Sequence, residues 1–375
     1  MAMPQVERTT ESTDDPLALR GIDYIELYVG NARQAAHFYC SAFGFKQIAY
    51  AGLETGVRDR VSYVLEQRKI RLVLTGAFHS DSPIAEHVRK HGDGVKDIAL
   101  EVADAAAAFE AAVARGAEPV MEPTVLEGQK GRIVKATIKT YGETVHSFIQ
   151  RDEYKGAFMP GFHRTSAPVT FAETGLAAVD HIVGNVELGK MDEWVNFYGK
   201  VMGFSQLQQF TDDDISTEYS ALMSKVVQNG SGRIKFPINE PAEGRKKSQI
   251  DEYLDFYEGP GAQHIAVITP DIIKTVRQLR ANGIQFLRTP DSYYEMLGQR
   301  VGAIEEDMAE LRELGILVDR DEEGYLLQIF TKPLQDRPTM FFEIIQRKGS
   351  RGFGAGNFKA LFEAIEREQE KRGNL

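Results

Sequence analysis

The chain carries the same pattern twice, and a fixed-spacing repeat decides architecture before any single residue does. The segment GIDYIELYV at Gly21–Val29 reads as a strand and leads into a helical stretch ending FYCSAFGF at Phe38–Phe45. The succession returns as AVDHIVGNV at Ala178–Val186 and FYGKVMGF at Phe197–Phe204. In both copies a Phe-Tyr pair precedes Gly-Phe, and Gly44 and Gly203 stand where a helix C-cap is expected. Further along, GDGVKDIALEV (Gly92–Val102) corresponds to GPGAQHIAVIT (Gly259–Thr269). Each is followed by an amphipathic helical pattern, Ala105–Glu118 or Ile272–Gln285. Each half closes on two strands, within Arg132–Arg151 and Tyr325–Arg347, and both end in Ile-Gln-Arg.

These alternations predict an α+β fold of tandem βαβββ modules, two per half. The expected division is an N-terminal tail over 1–17 without fixed structure, a first half over 18–152, a linker over 153–175, a second half over 176–350 and a C-terminal helix over 351–375. The linker is marked by Pro160, Gly161 and Pro168. In the last segment Phe358, Leu361, Phe362 and Ile365 share one helical stripe.

Composition narrows the function. A net charge of −11 argues against a nucleic-acid partner and gives no reason to expect an anionic membrane surface. The single cysteine, Cys40, cannot close an internal disulfide and reads as a buried, small apolar residue. Residues 1–20 lack the apolar core of a signal peptide, and no run approaches the ~20 apolar residues that span a bilayer. A cytoplasmic protein is expected.

The repeat also supplies an internal control. His181 stands where the first half has Tyr24, His264 where it has Asp97 and, from the shared Ile-Gln-Arg, Glu343 where it has Ser147. All three positions became metal-capable in the same half. Of eight histidines, only His181 and His264 lie in the second repeat, and both occupy equivalent positions of successive modules. Glu343 sits in the apolar strand MFFEII, where an unpaired carboxylate is costly to bury. Two imidazoles and one carboxylate on one face of a metal form the facial triad of non-haem Fe(II) oxygenases and leave open positions for substrate and O₂. A structural zinc site takes four ligands, usually including cysteine.

Together with GRIKFPINEP (Gly232–Pro241), GPGAQHIA, TKPLQDRPTMFFEIIQR and GFGAGNFKALFEAIE, the VDHIVGNV segment resembles the 4-hydroxyphenylpyruvate dioxygenase family of the vicinal oxygen chelate superfamily over nearly the whole chain, roughly Leu17 to Glu370. The resemblance implies two open-barrel domains, the first metal-free and the second catalytic, with a C-terminal helix gating the site. It further implies one Fe(II) per chain on His181, His264 and Glu343, and conversion of 4-hydroxyphenylpyruvate and O₂ to homogentisate and CO₂ in tyrosine and phenylalanine catabolism. Because the substrate carries its own 2-oxo acid, no 2-oxoglutarate is needed. The resemblance points to Phe330, Phe341, Phe358 and Phe362 around the substrate ring, and to Ser224, Asn239, Gln249, Gln263 and Gln328 as polar contacts. Strand alternation turns Gln263 away from the face of its neighbour His264 unless the strand bulges. A homo-oligomer, dimer or tetramer, is expected.

Three other readings share the fold: a hydroxymandelate synthase with the same substrate, a non-catalytic binding protein of the superfamily, and an extradiol ring-cleaving dioxygenase. The acidic run at 211–216 lacks the glycine and distal glutamate of a calcium-binding EF-hand and reads as a solvated loop.

Overall fold

The computed structural model describes residues 15–167, 169–211, 221–242, 244 and 246–374. The expected N-terminal tail lies outside these residues up to position 14, and the acidic run lies outside them beyond Thr211.

The first half forms a nine-stranded sheet. Its strands are β1 (Leu19–Tyr28), β2 (Lys46–Ala51), β3 (Arg60–Gln67), β4 (Ile70–Ala77), β5 (Gly94–Val102), β6 (Pro119–Gly128), β7 (Gly131–Lys139), β8 (Val145–Gln150) and the two-residue β9 (His163–Arg164). The second half forms an eight-stranded sheet of β10 (Ala178–Asn185), β11 (Ser205–Phe210), β12 (Ala221–Gln228), β13 (Lys235–Ala242), β14 (Gly261–Ile268), β15 (Leu317–Arg320), β16 (Tyr325–Phe330) and β17 (Phe341–Lys348).

Strand order runs β9-β2-β3-β4-β1-β5-β8-β7-β6 in the first sheet and β11-β12-β13-β10-β14-β17-β16-β15 in the second, so apart from the added edge strand β9 the duplication holds strand by strand. Within each module the first and last strands pair in parallel, as β1 with β4 and β14 with β17. The two modules of a half join through an antiparallel pair, β1 with β5 or β10 with β14. Each sheet curls into an open half-barrel whose concave face can hold a ligand.

Local chemistry sets the element ends. Gly44 and Gly203 do cap their helices, in left-handed conformation at φ 75° and 72°. The helices after β5 and β14 are shorter than their apolar pattern, Ala105–Ala114 and Ile272–Ala281. The chain turns soon afterwards at Gly116 and Gly283, both at positive φ. The segment between the halves is less open than a linker pattern implies. Its strand β9 pairs with β2, and Phe158 and Met159 are buried against the concave face of the first sheet.

One apolar core runs through both halves. The first-half helix Ala32–Phe43 packs on its own sheet and meets the second, with the Phe43 and Phe342 rings 5.1 Å apart. Reciprocally, Tyr198 on helix Met191–Met202 bonds His146 Nε2 of β8 at 2.8 Å. Phe342 is fully buried, and excluding a side chain of that size from water contributes roughly 2–3 kcal/mol.

Candidate metal centre

His181, His264 and Glu343 lie on β10, β14 and β17, three strands that are neighbours in the second sheet. Ala266 of β14 is opposite His181 on one side and Glu343 on the other. Those three positions form one row across the sheet, with His264 two residues along on the same face. The small Ala266 side chain leaves the flanking pair room to meet above it. His181 Nε2 lies 3.1 Å from Glu343 Oε2, and His264 Nε2 lies 3.5 Å from the same oxygen. Glu343 is not on an edge strand, because β17 is paired on both sides.

Two bulges aim the imidazoles. Val179 pairs with Val267 and His181 with Ala266, so Asp180 is an extra residue. Val183 pairs with His264 and Gly184 with Ala262, so Gln263 is another. The bulge removes the simple alternation that would turn Gln263 away, and Gln263 and His264 face the same cavity. Asp180 Oδ2 lies 2.7 Å from His181 Nδ1, and Gln263 Oε1 lies 3.0 Å from His264 Nδ1. Each acceptor favours the tautomer with its proton on Nδ1, which leaves an Nε2 lone pair toward Glu343. Asp180 is itself gripped by Arg347 through two bonds of 2.8 Å.

Electrostatics agree with this arrangement. Burial works to raise Asp180, but Arg347 and His181 overcome it and hold the carboxyl well below its usual range. Burial likewise opposes ionisation of Glu343, yet the two histidines lower it to about 2. Burial depresses His264, against its bond to Glu343, whereas for His181 the neighbouring carboxylates outweigh burial and raise it. Donors bound at roughly 2.1 Å stand about 3.0–3.4 Å apart around one ion. The observed spacings, the donor set and the acceptors that hold each Nδ1 therefore fit a divalent metal.

Above the three residues opens a cavity lined by aromatic and polar side chains. All nine residues assigned to substrate by resemblance line it: Phe330, Phe341, Phe358 and Phe362 among the aromatics, and Ser224, Asn239, Gln249, Gln263 and Gln328 among the polar groups. The Phe341 ring stacks on His264 at 4.8 Å. Ser224 and Asn239 are cross-strand partners on β12 and β13. Gln328 Oε1 is buried without a hydrogen-bond partner, a polar atom facing the cavity from β16. The C-terminal helix, Phe358–Arg372, roofs the cavity. Phe358 sits edge-on to Phe210 at 4.8 Å, and Arg372 at the far end grips Glu252 through bonds of 3.0 and 2.7 Å.

Three contributors escaped the sequence reading: Asp180, Arg347 and Phe353, whose ring lies 5.0 Å from His181. A signal for the first two was present, because the first half carries Asp23 before Tyr24 and Arg151 in its own Ile-Gln-Arg. Arg151 grips Asp23 there just as Arg347 grips Asp180. Phe353 has a counterpart as well, since the Arg151 guanidinium lies 5.7 Å from the Phe158 ring and that of Arg347 lies 5.7 Å from Phe353.

Comparison with known proteins accords with this geometry. The Glyoxalase/Bleomycin resistance protein/Dioxygenase superfamily matches residues 21–139 and 178–329, one stretch in each half. A 4-hydroxyphenylpyruvate dioxygenase of Yarrowia lipolytica is 49% identical, over 99% of this chain and 97% of its own length. One from Caenorhabditis elegans is 50% identical over 94% of this chain and 93% of its own. Among solved structures, a mutant 4-hydroxymandelate synthase from Streptomyces coelicolor superposes with a TM-score of 0.83 at 37% identity, covering 94% of this chain and 99% of that one.

Proposed function

The chain belongs to the 4-hydroxyphenylpyruvate dioxygenases within the glyoxalase superfamily, and from this premise we propose that His181, His264 and Glu343 hold a single Fe(II) that serves the reaction. The enzyme converts 4-hydroxyphenylpyruvate and O₂ to homogentisate and CO₂. The observation that carries the site is the convergence of two Nε2 atoms on one Glu343 oxygen at the floor of an aromatic cavity. When bound, Fe(II) supplies a redox-active centre with vacant positions for the 2-oxo acid and O₂.

The protein's own groups bind, orient and exclude water. Phe341 and Phe330 wall the substrate ring beside His264, and Phe358 and Phe362 close over it from the C-terminal helix. Ser224 and Asn239 supply hydroxyl and amide groups on one wall, and Gln249, Gln263 and Gln328 on the others, so a carboxylate, a keto oxygen and a phenol can each be met by a donor. Asp180 and Gln263 hold both imidazoles through Nδ1 and aim their Nε2 atoms at Glu343. Buried Phe side chains around the cavity keep the reacting ring away from bulk water.

Oxygen uptake with 4-hydroxyphenylpyruvate, with and without added Fe(II), tests this reading, and mass spectrometry identifies the product. Homogentisate with one CO₂ per O₂ is expected. Formation of 4-hydroxymandelate would move the chain to the activity named for its 37%-identical structural relative.

A homo-oligomer and a cytoplasmic setting complete the proposal. The edge strand β6 is largely exposed, with Val120 and Val125 each about half accessible, and an uncovered edge of this kind favours pairing with a second copy. Among the described residues, no helix is long and apolar enough to cross a membrane.

A further inference from the structure

A second group of metal-capable side chains lies away from the cavity, where the two halves meet. Helix Pro83–His91 of the first half carries His87 and His91 one turn apart, and the turn between β7 and β8 brings Glu143 to them. His87 Nδ1 is 3.4 Å from Glu143 Oε2, and His91 Nε2 is 3.3 Å from Glu143 Oε1. Donors held at roughly 2.1 Å in a tetrahedral zinc site stand about 3.4 Å apart.

Both imidazoles are almost wholly buried, at 2% and 1% exposure, yet neither ring nitrogen of His87 and not the Nε2 of His91 makes a hydrogen bond. Buried polar atoms are normally satisfied, so two of these orphaned nitrogens, His87 Nδ1 and His91 Nε2, both turned toward the Glu143 carboxylate, call for a shared partner. His91 is already oriented as a ligand, because its Nδ1 contacts the Tyr257 carbonyl and its Nε2 is the atom that faces Glu143. Burial, together with His91 and Lys96, lowers His87 to about 4, which keeps the ring neutral and free to coordinate at ordinary pH.

We propose that His87, His91 and Glu143 form a second divalent-cation site, of the zinc class, that clamps the first half to the second through Tyr257. Two imidazoles and one carboxylate suit a borderline ion and not calcium or magnesium, which take oxygen ligands. Glu143 is 40% exposed on its side chain, so the ion enters from solvent on that side. The Lys90 ammonium, 3.0 Å from Glu143 Oε1 and 37% exposed, is the group that the ion displaces. Tyr257 ends the helix Gln249–Tyr257, whose first residue lines the cavity, so the clamp and the cavity share one rigid element.

The test is calorimetric titration of the full-length, chelator-stripped chain with Zn²⁺, repeated with Co²⁺ to read tetrahedral absorption bands. Two equivalents are expected for the unaltered protein. His87→Gln and Glu143→Gln should each lose the second and keep the first, and His181→Ala the reverse. Glu143→Gln changes a half-exposed turn residue, so it stays informative should His87→Gln fail to fold. Lys90→Met should tighten the second equivalent. A single equivalent in the unaltered chain, or a second one that persists in both variants of the cluster, would overturn the proposal. Loss of the His181-dependent equivalent alone would instead strike the catalytic centre and leave this site standing.

Discussion

The Lys135 ammonium lies 3.2 Å from Asp97 Oδ2 and 2.8 Å from the Tyr24 hydroxyl, contacting the first-half counterparts of His264 and His181. Ser147, counterpart of Glu343, bonds the same Asp97 oxygen at 2.6 Å. Lys135 pairs with Ile149 as Gln328 pairs with Ile345, so the lysine stands where the second half has a cavity glutamine. The first half thus keeps the converging geometry of a metal centre and neutralises it with a covalently attached cation. Phe158 of the connecting segment packs on Tyr24 at 5.3 Å and fills the space above.

Removing that cation leaves Asp97, only 2% exposed, without its charge partner. Breaking a buried pair this way costs about 3 kcal/mol or more. Lys135→Met should therefore lower the urea midpoint while turnover per folded molecule stays close to that of the parent. An unchanged midpoint would mean that the ammonium contributes nothing to the first half.

Glu343→Ala should abolish the His181-dependent metal equivalent and all oxygen uptake with far-ultraviolet circular dichroism unchanged, since the equivalent Ser147 position shows that the scaffold accepts a smaller side chain. Turnover surviving in this variant would refute the assigned ligand set.

Asp180→Asn keeps the size of the side chain but weakens the acceptor that orients His181. A loss of 10- to 100-fold in metal affinity is expected, the usual range for such outer-shell partners. Competition against a chelator of known affinity measures it, and an unaltered affinity would reduce the Asp180–Arg347 pair to a structural bond.

Deletion of residues 358–375 removes the roof of the cavity together with the Arg372–Glu252 contact. Metal binding should survive, because no ligand is lost, whereas turnover of 4-hydroxyphenylpyruvate should fall by at least about 10²-fold as water enters and the ring loses its restraint. Full activity in the truncated chain would deny the helix a gating role.

Cys40 is 3% exposed, and burial pushes its thiol up to about 11. The nucleophilic thiolate should be scarce at pH 8 and grow only as pH approaches that value. Alkylation of the native protein at pH 8 should be far slower than in urea, and equal rates would show that the helix around Cys40 opens readily.

Much of this was readable along the chain. Strand and helix alternate with hydrophobicity, and duplication lets one half serve as the reference for the other, so Tyr24 against His181, Asp97 against His264 and Ser147 against Glu343 stand out without three-dimensional knowledge. The nine cavity residues came from resemblance to a family and not from periodicity. Phe353 stands between glycines, where no pattern distinguishes a ligand-facing ring from a packed one.

Covalent order and side-chain type thus settled the modules, their repetition and the metal-capable trio, since these depend on neighbours within a few residues. Folding in space supplied what depends on pairing between distant strands. The unequal register of β10 against β14 brought Asp180 and Gln263 behind the two imidazoles, and closure of the halves placed His91 on the carbonyl of Tyr257. Bulges and domain contacts arise from the balance of many long-range interactions, which no local stretch of residues encodes.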